Sequence, residues 1–586
     1  MTEKYMYLKM ISNSTCYVSW DSSHHIRNLV EWYFNRSFSK VTKALRLYSA
    51  ADVGIRGRNE YNQEIIIDGN QSQRIVEGLS NNRSYYAEIG IKLSNHHFFP
   101  ILRSNIIGSD SLESESGLLR ACPEPSELSY PWSKMVSTYT YYVPNNWNGD
   151  FSLKYEYKQK VAFEERKFEF SNAGNKSREV DNSRVMINKN EKPRILILSW
   201  EYPPHLVGGL SRHVQGLAHC LQKMGYEVHV ITSNSNEAAD EETNDSVRIH
   251  RVTPLNHQDE DFLSWIGGLN LAMLNKALEI DKIHRFNLIH AHDWLVGASA
   301  IVLRNSLRIP LIATFHATEY GRNNGIHTEL QKFIHEKEQQ LITGADTVIV
   351  CSEYMRRELK QVFRIPNERN LHIIPNGTSA IKPLKEGLNP LEGFPIQKNK
   401  RLIFSIGRIV KEKGFDTIID AAQKMQRKFP DVYFIVAGKG PLLYEYRMRA
   451  ERLQLQNQLF FVDYVTDEQK SALFNHCSIA VFPSRYEPFG IVALEAMQAG
   501  KPTIVSNTGG LKGIVQHKRS GMLMTPGSSD SLIEQIIYLL ENELQAEQIG
   551  LLGKKRVESI FSWERMAEET VKVYEELLIH RNNEND

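Results

Sequence analysis

The chain has 586 residues, too many for one compact core, and this length predicts about three to five domains. Its 70 Lys and Arg residues against 69 Asp and Glu residues give a formal net charge of +1, which argues against a general nucleic-acid or polyanion binder. The 41% hydrophobic fraction is ordinary for a globular protein and excludes disorder along the whole chain.

The first 108 residues are rich in strand-like segments. Apolar and polar residues alternate from Tyr85 to Leu93, and this segment is predicted to form a hairpin with Phe98–Ile107. One amphipathic helix, with apolar residues at helical spacing from Ile26 to Phe34, interrupts the strands. We therefore expect a small β-rich, sandwich-like accessory domain over residues 1–108. Residues 109–192 are predicted to be an irregular, aromatic-rich region that ends in a polar linker.

From residue 193 onwards, short apolar strands alternate with amphipathic helices, which predicts α/β structure with parallel sheets covered on both faces. The pattern starts again after residue 376, so we expect two doubly wound Rossmann-like domains, 193–376 and 377–562, that face a cleft. A C-terminal helix over 563–586 is expected to cross back to the first of them. Strands are predicted at Arg194–Leu198, Glu227–Thr232, Asn287–His290, Leu311–Phe315, Thr347–Val350, Leu371–Ile374, Leu402–Ile406, Val432–Ala437, Leu459–Val462, Ile479–Phe482 and Thr503–Ser506.

The loop after the first strand of each half has the composition of a phosphate-binding loop. In the first half, Gly208 and Gly209 precede a helix, and such glycines let backbone N–H groups approach an anion at the positive end of the helix. In the second half, Arg408 and Lys413 lie at a loop-to-helix junction from which both side chains can reach a diphosphate. A tight turn and a solvated basic loop are the alternative interpretations.

Two glutamates follow the fourth predicted strand of the second half. Glu487 lies just after that strand, and Glu495 lies eight residues later, inside the next helix. Between them, Phe489 and Gly490 form a turn whose N–H groups are unpaired, as in the first turn of any helix. A carboxylate beside free N–H groups is suited to bind sugar hydroxyls. Glu495 requires a partner, because burial of an unpaired carboxylate is costly.

Histidine and aspartate residues end two predicted strands of the first half. His290, His292 and Asp293 follow one strand, and His316 follows the next. Polar residues at adjacent strand ends are typical of a ligand site, although a histidine can equally be a hydrogen-bonded core residue. We find no three ligands at metal spacing in the sequence, so we expect no metal site.

Together, these motifs resemble those of the retaining glycosyltransferases with the GT-B fold, specifically the glycogen-synthase-like, group 1 family (glycosyltransferase family 4 type). The resemblance covers about 193–580, and residues 1–108 are similar to a β-rich domain of unknown function found fused to bacterial glycosyltransferases. It implies transfer of a hexosyl group, glucosyl in particular, from a UDP- or ADP-sugar to a saccharide or other hydroxyl acceptor, with retention of the α configuration. It also implies that neither a metal nor a cofactor is needed. A nucleotide-sugar epimerase or phosphorylase of the same fold and a non-catalytic carbohydrate-binding protein remain as alternatives.

The resemblance assigns roles to individual residues. Arg408 and Lys413 would bind the donor diphosphate and stabilise it as it leaves, and Glu487 would contact the donor sugar at the reaction centre. His316 and Asp293 would lie at the donor sugar. The remaining donor-binding residues would be Gly208, Gly209, Phe489, Gly490 and Glu495, the last of them on the nucleotide ribose. The segment 205–207 departs from bacterial glycogen synthases, which have a lysine just before the first Gly-Gly; this difference counts against ADP-glucose and a long glucan.

The sequence also bears on partners and location. It has five scattered cysteines, no stretch of 18 apolar residues and no signal-peptide pattern at the N-terminus, so we expect a cytoplasmic protein without an integral membrane segment. The expected partners are a nucleotide-sugar donor and a saccharide acceptor, and no nucleic acid. The sequence does not determine the oligomeric state.

Overall fold

A computed structural model describes residues 6–49, 61–68, 71–80, 83–93, 97–108, 192–204, 208–234, 239–257, 259, 261–365, 367–378 and 389–584. The predicted aromatic-rich region and linker lie outside the described residues, apart from residue 192. So does the segment 205–207, which carries the departure from glycogen synthases.

The N-terminal region contains two antiparallel sheets and one helix. The first sheet has the strand order β1-β2-β5, and the second has the order β4-β3-β6-β7, with β8 paired to β6. The elements are β1 (Met6–Ser12), β2 (Thr15–Trp20), α1 (His24–Phe34), β3 (Lys43–Ser49), β4 (Tyr61–Ile67), β5 (Gln73–Glu77), β6 (Ser84–Lys92), β7 (Phe98–Arg103) and β8 (Ile107–Gly108).

The predicted helix and hairpin of this region are confirmed. Strands β6 and β7 pair antiparallel, although the predicted second strand is divided into β7 and β8. Helix α1 begins where the Ser23 side chain accepts a hydrogen bond from the N–H of Ile26, and it ends at Asn35 in the left-handed conformation. Ile26 and three further residues of α1 are buried against the sheets and the next domain: Leu29, Val30 and Tyr33.

The first α/β domain is built on an eight-stranded sheet with the order β11-β12-β10-β9-β13-β14-β15-β16. All neighbouring strands are parallel except the β11–β12 pair. The elements are β9 (Arg194–Leu198), α2 (Gly209–Lys223), β10 (Glu227–Ser233), β11 (Glu241–Asn244), β12 (Val247–Val252), α3 (Phe262–His284), β13 (Leu288–His292), α4 (Gly297–Leu307), β14 (Leu311–Phe315), α5 (Glu319–Asn323), α6 (Glu329–Gly344), β15 (Thr347–Val350), α7 (Glu353–Val362) and β16 (Leu371–Ile373).

The second α/β domain has a fully parallel six-stranded sheet with the order β19-β18-β17-β20-β21-β22. Its elements are β17 (Arg401–Ile406), α8 (Phe415–Met425), β18 (Val432–Ala437), α9 (Leu442–Arg452), β19 (Leu459–Val462), α10 (Asp467–His476), β20 (Ile479–Phe482), α11 (Ile491–Gln498), β21 (Thr503–Ser506), α12 (Leu511–Ile514), β22 (Met522–Met524), α13 (Ser529–Glu541) and α14 (Glu543–Ile560). Both sheets are doubly wound, so the predicted fold class is confirmed.

The last helix, α15 (Trp563–Glu584), returns to the first α/β domain and packs against α2. A Cβ atom on Gly216 of α2 would lie 2.5 Å from the Trp563 ring, so only glycine allows this close approach. The Tyr574 hydroxyl forms a 2.7 Å hydrogen bond with Nδ1 of His290 on β13 of the first α/β domain. Among the described residues, none of the helices is both long enough and apolar enough to cross a membrane.

Candidate active site

The carboxyl ends of the two parallel sheets face each other across a cleft of about 580 Å³. This is the position in which open α/β sheets bind ligands. The residues that the sequence analysis proposed for the site all line the cleft: Gly208, Gly209, Asp293, His316, Arg408, Lys413, Glu487, Phe489, Gly490 and Glu495.

Glu487 and Lys413 form an ion pair at the centre of the cleft. The Lys413 Nζ lies 2.5 Å from Glu487 Oε2, and the two side chains are 20% and 10% exposed. The backbone of Glu487 is fixed as well, because its carbonyl accepts a 2.9 Å hydrogen bond from the N–H of Gly510. A Cβ on Gly509 would lie 2.0 Å from that carbonyl oxygen, so the chain needs glycine there. The carboxylate is therefore held rigidly beside a cation.

Three helices start at the cleft. Gly208, Gly414 and Gly490 are the N-caps of α2, α8 and α11, and among the described residues none of these helices has a side-chain N-cap. Gly414 and Gly490 have φ angles of 67° and 110°, which glycine adopts without strain. Uncapped helix N-termini carry partial positive charge, so they favour an anionic ligand.

Arg408 and Lys413 add full positive charges beside the N-terminus of α8. Arg408 Nη2 lies 3.7 Å from Glu412 Oε1, and the Arg408 side chain is 28% exposed to the cleft. Lys413 ends a short 3-10 helix directly before Gly414. The two cations and the helix end together make this wall of the cleft suited to a diphosphate.

Glu495 belongs to a chain of charges that crosses the cleft. Lys470 Nζ lies 2.6 Å from Glu495 Oε1 and 3.3 Å from Asp467 Oδ1. Arg212, on α2 of the first α/β domain, donates 2.6 Å hydrogen bonds to both carboxylate oxygens of Asp467. The partner that Glu495 requires is thus Lys470. No sequence pattern reveals this pair, because the two residues lie on different helices.

Asp293 is buried at the end of β13 in an unusual backbone conformation. Its φ is 59°, a left-handed value that is rare for a residue other than glycine and is concentrated at functional sites. Its Oδ1 accepts a 2.8 Å hydrogen bond from the backbone N–H of His316. Burial raises the pKa of Asp293 to about 6, against the opposing effect of Arg322. Asp293 therefore positions the backbone of His316.

Three histidines come together beside Asp293, and the sequence analysis named two of them. Ring nitrogens of His213, His292 and His316 lie within 4.8 Å of one another. His292 Nδ1 is 3.2 Å from His316 Nε2, and His213 Nδ1 is 2.8 Å from Asn376 Oδ1. Burial, followed by the charge of Arg322, lowers the pKa of His316 to about 3. Imidazoles of this kind are common metal ligands. Their proximity does not test the prediction of no metal site, which stays a prediction. His213 lies on α2, far from the other two in sequence, and this separation hid the cluster.

A second set of metal-ligand types lies at the amino-terminal end of β10, in the first α/β domain. Ligand atoms of Glu227, His229 and His284 are within 4.8 Å of one another. The guanidinium of Arg248 already occupies this set, with Nη1 2.6 Å from Glu227 Oε1 and 2.9 Å from His284 Nδ1. A cation in that position repels a metal ion, so this cluster is an ion-pair network.

The sequence analysis also missed the contacts that join the two α/β domains beside Glu487. The hydroxyl of Tyr486 lies 3.1 Å from Glu358 Oε1 on α7 of the first domain. Ser352 donates a 2.7 Å hydrogen bond to the carbonyl of Pro488. A Cβ on Gly321 would lie 2.4 Å from the Tyr486 hydroxyl, which leaves room only for glycine. No local pattern reveals partners more than 100 residues apart.

Comparison with family models gives three matches. The model described as "Glycosyl transferases group 1" matches residues 391–556, and "Glycosyltransferase Family 4" matches residues 207–380. Residues 2–115 match a domain of unknown function, DUF4912.

Individual proteins are similar over the two α/β domains. An uncharacterized glycosyltransferase of Methanocaldococcus jannaschii is 32% identical over 386 residues, which cover 65% of this chain and 97% of that protein. A glycogen synthase of Mycobacterium tuberculosis is 31% identical over 396 residues, covering 65% and 94%. The crystal structure of Anabaena HepE in complex with UDP and glucose is 20% identical with a TM-score of 0.54, covering 65% and 99%. The last similarity shows the fold.

Proposed function

The chain belongs to the group 1 and family 4 glycosyltransferases, and on that premise we propose the donor, the acceptor and the stereochemistry of its reaction. The donor is a nucleotide diphosphate sugar, a UDP- or ADP-hexose with glucose as the hexose. The acceptor is a saccharide hydroxyl, and the product keeps the α configuration. The observation that carries this proposal is the Lys413–Glu487 pair beside uncapped helix N-termini in the cleft.

The charge distribution supports transfer without a divalent cation. As the glycosidic bond breaks, the leaving diphosphate gains negative charge, which Arg408, Lys413 and the N-termini of α8 and α11 would stabilise. These cationic and N–H groups are already in position, so little reorganisation of the protein is needed during the reaction. Lys413 pairs with Glu487, and the donor phosphates would take over part of that interaction.

Glu487 has two roles in this proposal. Its carboxylate lies where positive charge develops on the sugar, so it would stabilise an oxocarbenium-like transition state and bind sugar hydroxyls. The leaving phosphate would accept the proton of the incoming hydroxyl on the same face, which gives retention without a covalent intermediate. A double displacement would instead use Glu487 as the nucleophile.

The other residues at the cleft would orient the donor. His316 and Asp293 form one unit through the 2.8 Å hydrogen bond to the His316 N–H, and we assign this unit to the donor sugar. Gly208 and Gly209 allow the phosphates to approach the first α/β domain, and Phe489 and Gly490 present N–H groups from the second. We assign Glu495 to the nucleotide ribose, with Lys470 as its charge partner.

We also propose a cytoplasmic location and a reaction that needs no cofactor. Among the residues that the structure describes, four cysteines are buried as free thiols, Cys16, Cys220, Cys351 and Cys477, which is typical of proteins from reducing compartments. Sequence similarity to a glycogen synthase supports glucose as the transferred sugar.

A panel of donors tests the proposal. The purified protein would be incubated with UDP-, ADP- and GDP-glucose, with and without oligosaccharides, and release of nucleoside diphosphate would be measured. We expect release with one donor and a clear stimulation by an oligosaccharide. Conversion of the donor to an isomeric nucleotide sugar without any acceptor would instead identify an epimerase.

A further inference from the structure

The β-rich N-terminal domain is packed firmly against the first α/β domain. Helix α1 packs on α3 and α4, and β7 packs on α3. The Tyr33 hydroxyl donates a 2.5 Å hydrogen bond to the Leu263 carbonyl, and His25 Nδ1 lies 2.6 Å from the Ser306 hydroxyl. A Cβ on Gly267 of α3 would lie 2.8 Å from the Tyr33 ring. This close fit indicates a fixed interface.

A buried lysine lies at the centre of this interface. Lys337, on α6, is 1% exposed. Its ammonium group has one acceptor for each of its three N–H donors: the Trp32 carbonyl at 2.9 Å, Gln340 Oε1 at 3.0 Å and Asn35 Oδ1 at 3.4 Å. It also lies 4.7 Å from the centre of the Trp32 ring. Burial lowers the pKa of Lys337 to about 7.

The contact completes the C-terminus of α1. Trp32 belongs to the last turn of α1, where carbonyls have no partner within the helix, and α1 has no basic residue in that turn. Lys337 supplies the missing hydrogen bond, and its protonated form also places a positive charge at the negative end of the helix dipole. The two domains are therefore joined through a helix end that is incomplete by itself.

The next residue on α6 points in a different direction, towards α5. Glu338 is also 1% exposed, and its Oε1 accepts a 2.8 Å hydrogen bond from the backbone N–H of Glu319. Glu319 begins α5 within the cleft wall 316–322, a segment in which His316, Ala317 and Arg322 line the cleft. One face of α6 thus contacts the N-terminal domain, while another holds the cleft wall.

We propose that the N-terminal domain braces the cleft wall 316–322 through helix α6, and that Trp32 and Lys337 are positioning residues in this brace. A helix moves as a rigid element, so docking of α1 on Lys337 fixes the position from which Glu338 holds Glu319. The N-terminal domain would then limit how often the cleft wall 316–322 opens, without contributing a residue to the cleft.

Hydrogen–deuterium exchange on the full-length protein tests the brace, and this readout does not depend on the proposed transferase activity. Trp32→Ala acts from the N-terminal side of the contact: it removes the ring beside Lys337 and keeps the backbone carbonyl that accepts the lysine hydrogen bond. We expect it to speed amide exchange in a peptide spanning 316–323 by about tenfold or more, because a less restrained segment opens more often. If Trp32→Ala does not fold, Trp32→Phe should show the same change with a smaller amplitude.

The matched control is Tyr33→Phe, which removes the hydrogen bond to Leu263 on α3 but keeps the ring beside Lys337. This variant weakens the same domain interface, but at α3 and not at α6. Amide exchange in 316–323 should therefore stay within about twofold of wild type. Unchanged exchange in the Trp32 variant, or equal acceleration in both variants, would overturn the proposal.

A double-mutant cycle tests the route through α6. Glu338→Met removes the oxygen that accepts the hydrogen bond from the Glu319 N–H and keeps a side chain of similar length. If both residues act through one helix, combining it with Trp32→Ala should add much less acceleration than the product of the two single effects. Independent, multiplicative effects would show that the N-terminal domain does not act on the cleft wall through α6.

Discussion

Replacing Glu487 with glutamine isolates the charge of the carboxylate at the centre of the cleft. The amide has nearly the same shape, and its oxygen can still accept a hydrogen bond from Lys413, which lies 2.5 Å away in the native protein. The Ser484 hydroxyl, 3.4 Å from the carboxylate, can bond to either group. The variant should therefore fold, with a loss of stability below about 1.5 kcal/mol.

The effect on catalysis should be much larger than the effect on folding. Removing one preorganised electrostatic contact from an active site typically costs about 10²-fold or more in turnover, or about 2.7 kcal/mol of transition-state stabilisation. Binding of the nucleoside diphosphate should respond differently. Lys413 no longer faces a full negative charge in Glu487→Gln, so UDP or ADP should bind at least as tightly as to wild type.

Steady-state kinetics and calorimetric titration with the nucleoside diphosphate would measure the two effects. Glu412→Gln is the matched control, because Glu412 also lines the cleft but lies beside Arg408. It should cost less than about tenfold in turnover. A folded Glu487→Gln protein with turnover within about threefold of wild type, or equal losses in both variants, would refute the assigned role.

The remaining predictions concern the cations, the buried aspartate and the domain interface. Lys413→Ala and Arg408→Ala should each weaken donor binding by about tenfold or more, as measured by calorimetric titration. Lys411→Ala is the control, because the Lys411 side chain is exposed outside the cleft. An equal loss of affinity in Lys411→Ala would contradict the assignment of the two cations to the donor. Activity should survive EDTA, and complete loss that manganese reverses would show that the cations do not suffice. Burial raises the pKa of Asp293 from 3.8 to about 6 in the folded protein, so the contribution of this carboxyl to native stability should fall as pH rises between these values, by up to about 3 kcal/mol. Other carboxyls titrate in the same range, so the measurement is the difference between wild type and Asp293→Asn in denaturant titrations at several pH values, and a difference that does not change with pH would contradict the assignment. Gly267→Ala should lower the stability by about 1–2 kcal/mol through contact with Tyr33, measured by thermal unfolding, and a stability equal to or above wild type would contradict the close fit.

The parallel sheets were the most predictable part of the fold. Buried parallel strands are continuous apolar runs between helices, and Leu311–Phe315 and Val432–Ala437 were predicted with their observed ends. Strand β1 was missed, because Tyr7 and Ile11 on its exposed face obscure the alternation of polar and apolar residues. Strand β22 has only three residues, too few for a periodic pattern.

The cleft residues were predictable because they follow strands directly, so topology alone brings Asp293, His316 and Glu487 to one edge. The partners of those residues could not be predicted from the sequence. Lys470 and His213 reach the cleft from helices, where a polar residue is ordinarily solvent-exposed. Lys337 lies between two glutamates in the sequence, and only the docked N-terminal domain accounts for its burial.

The most direct test of the proposed reaction is proton NMR of the first product formed from the preferred nucleotide sugar and an oligosaccharide in the presence of EDTA. We expect a new α-glycosidic anomeric signal that grows in step with the released nucleoside diphosphate, from the earliest time points. A β-linked product, or donor consumption only after a divalent metal is added, would contradict retention by the cations and helix N-termini of this cleft.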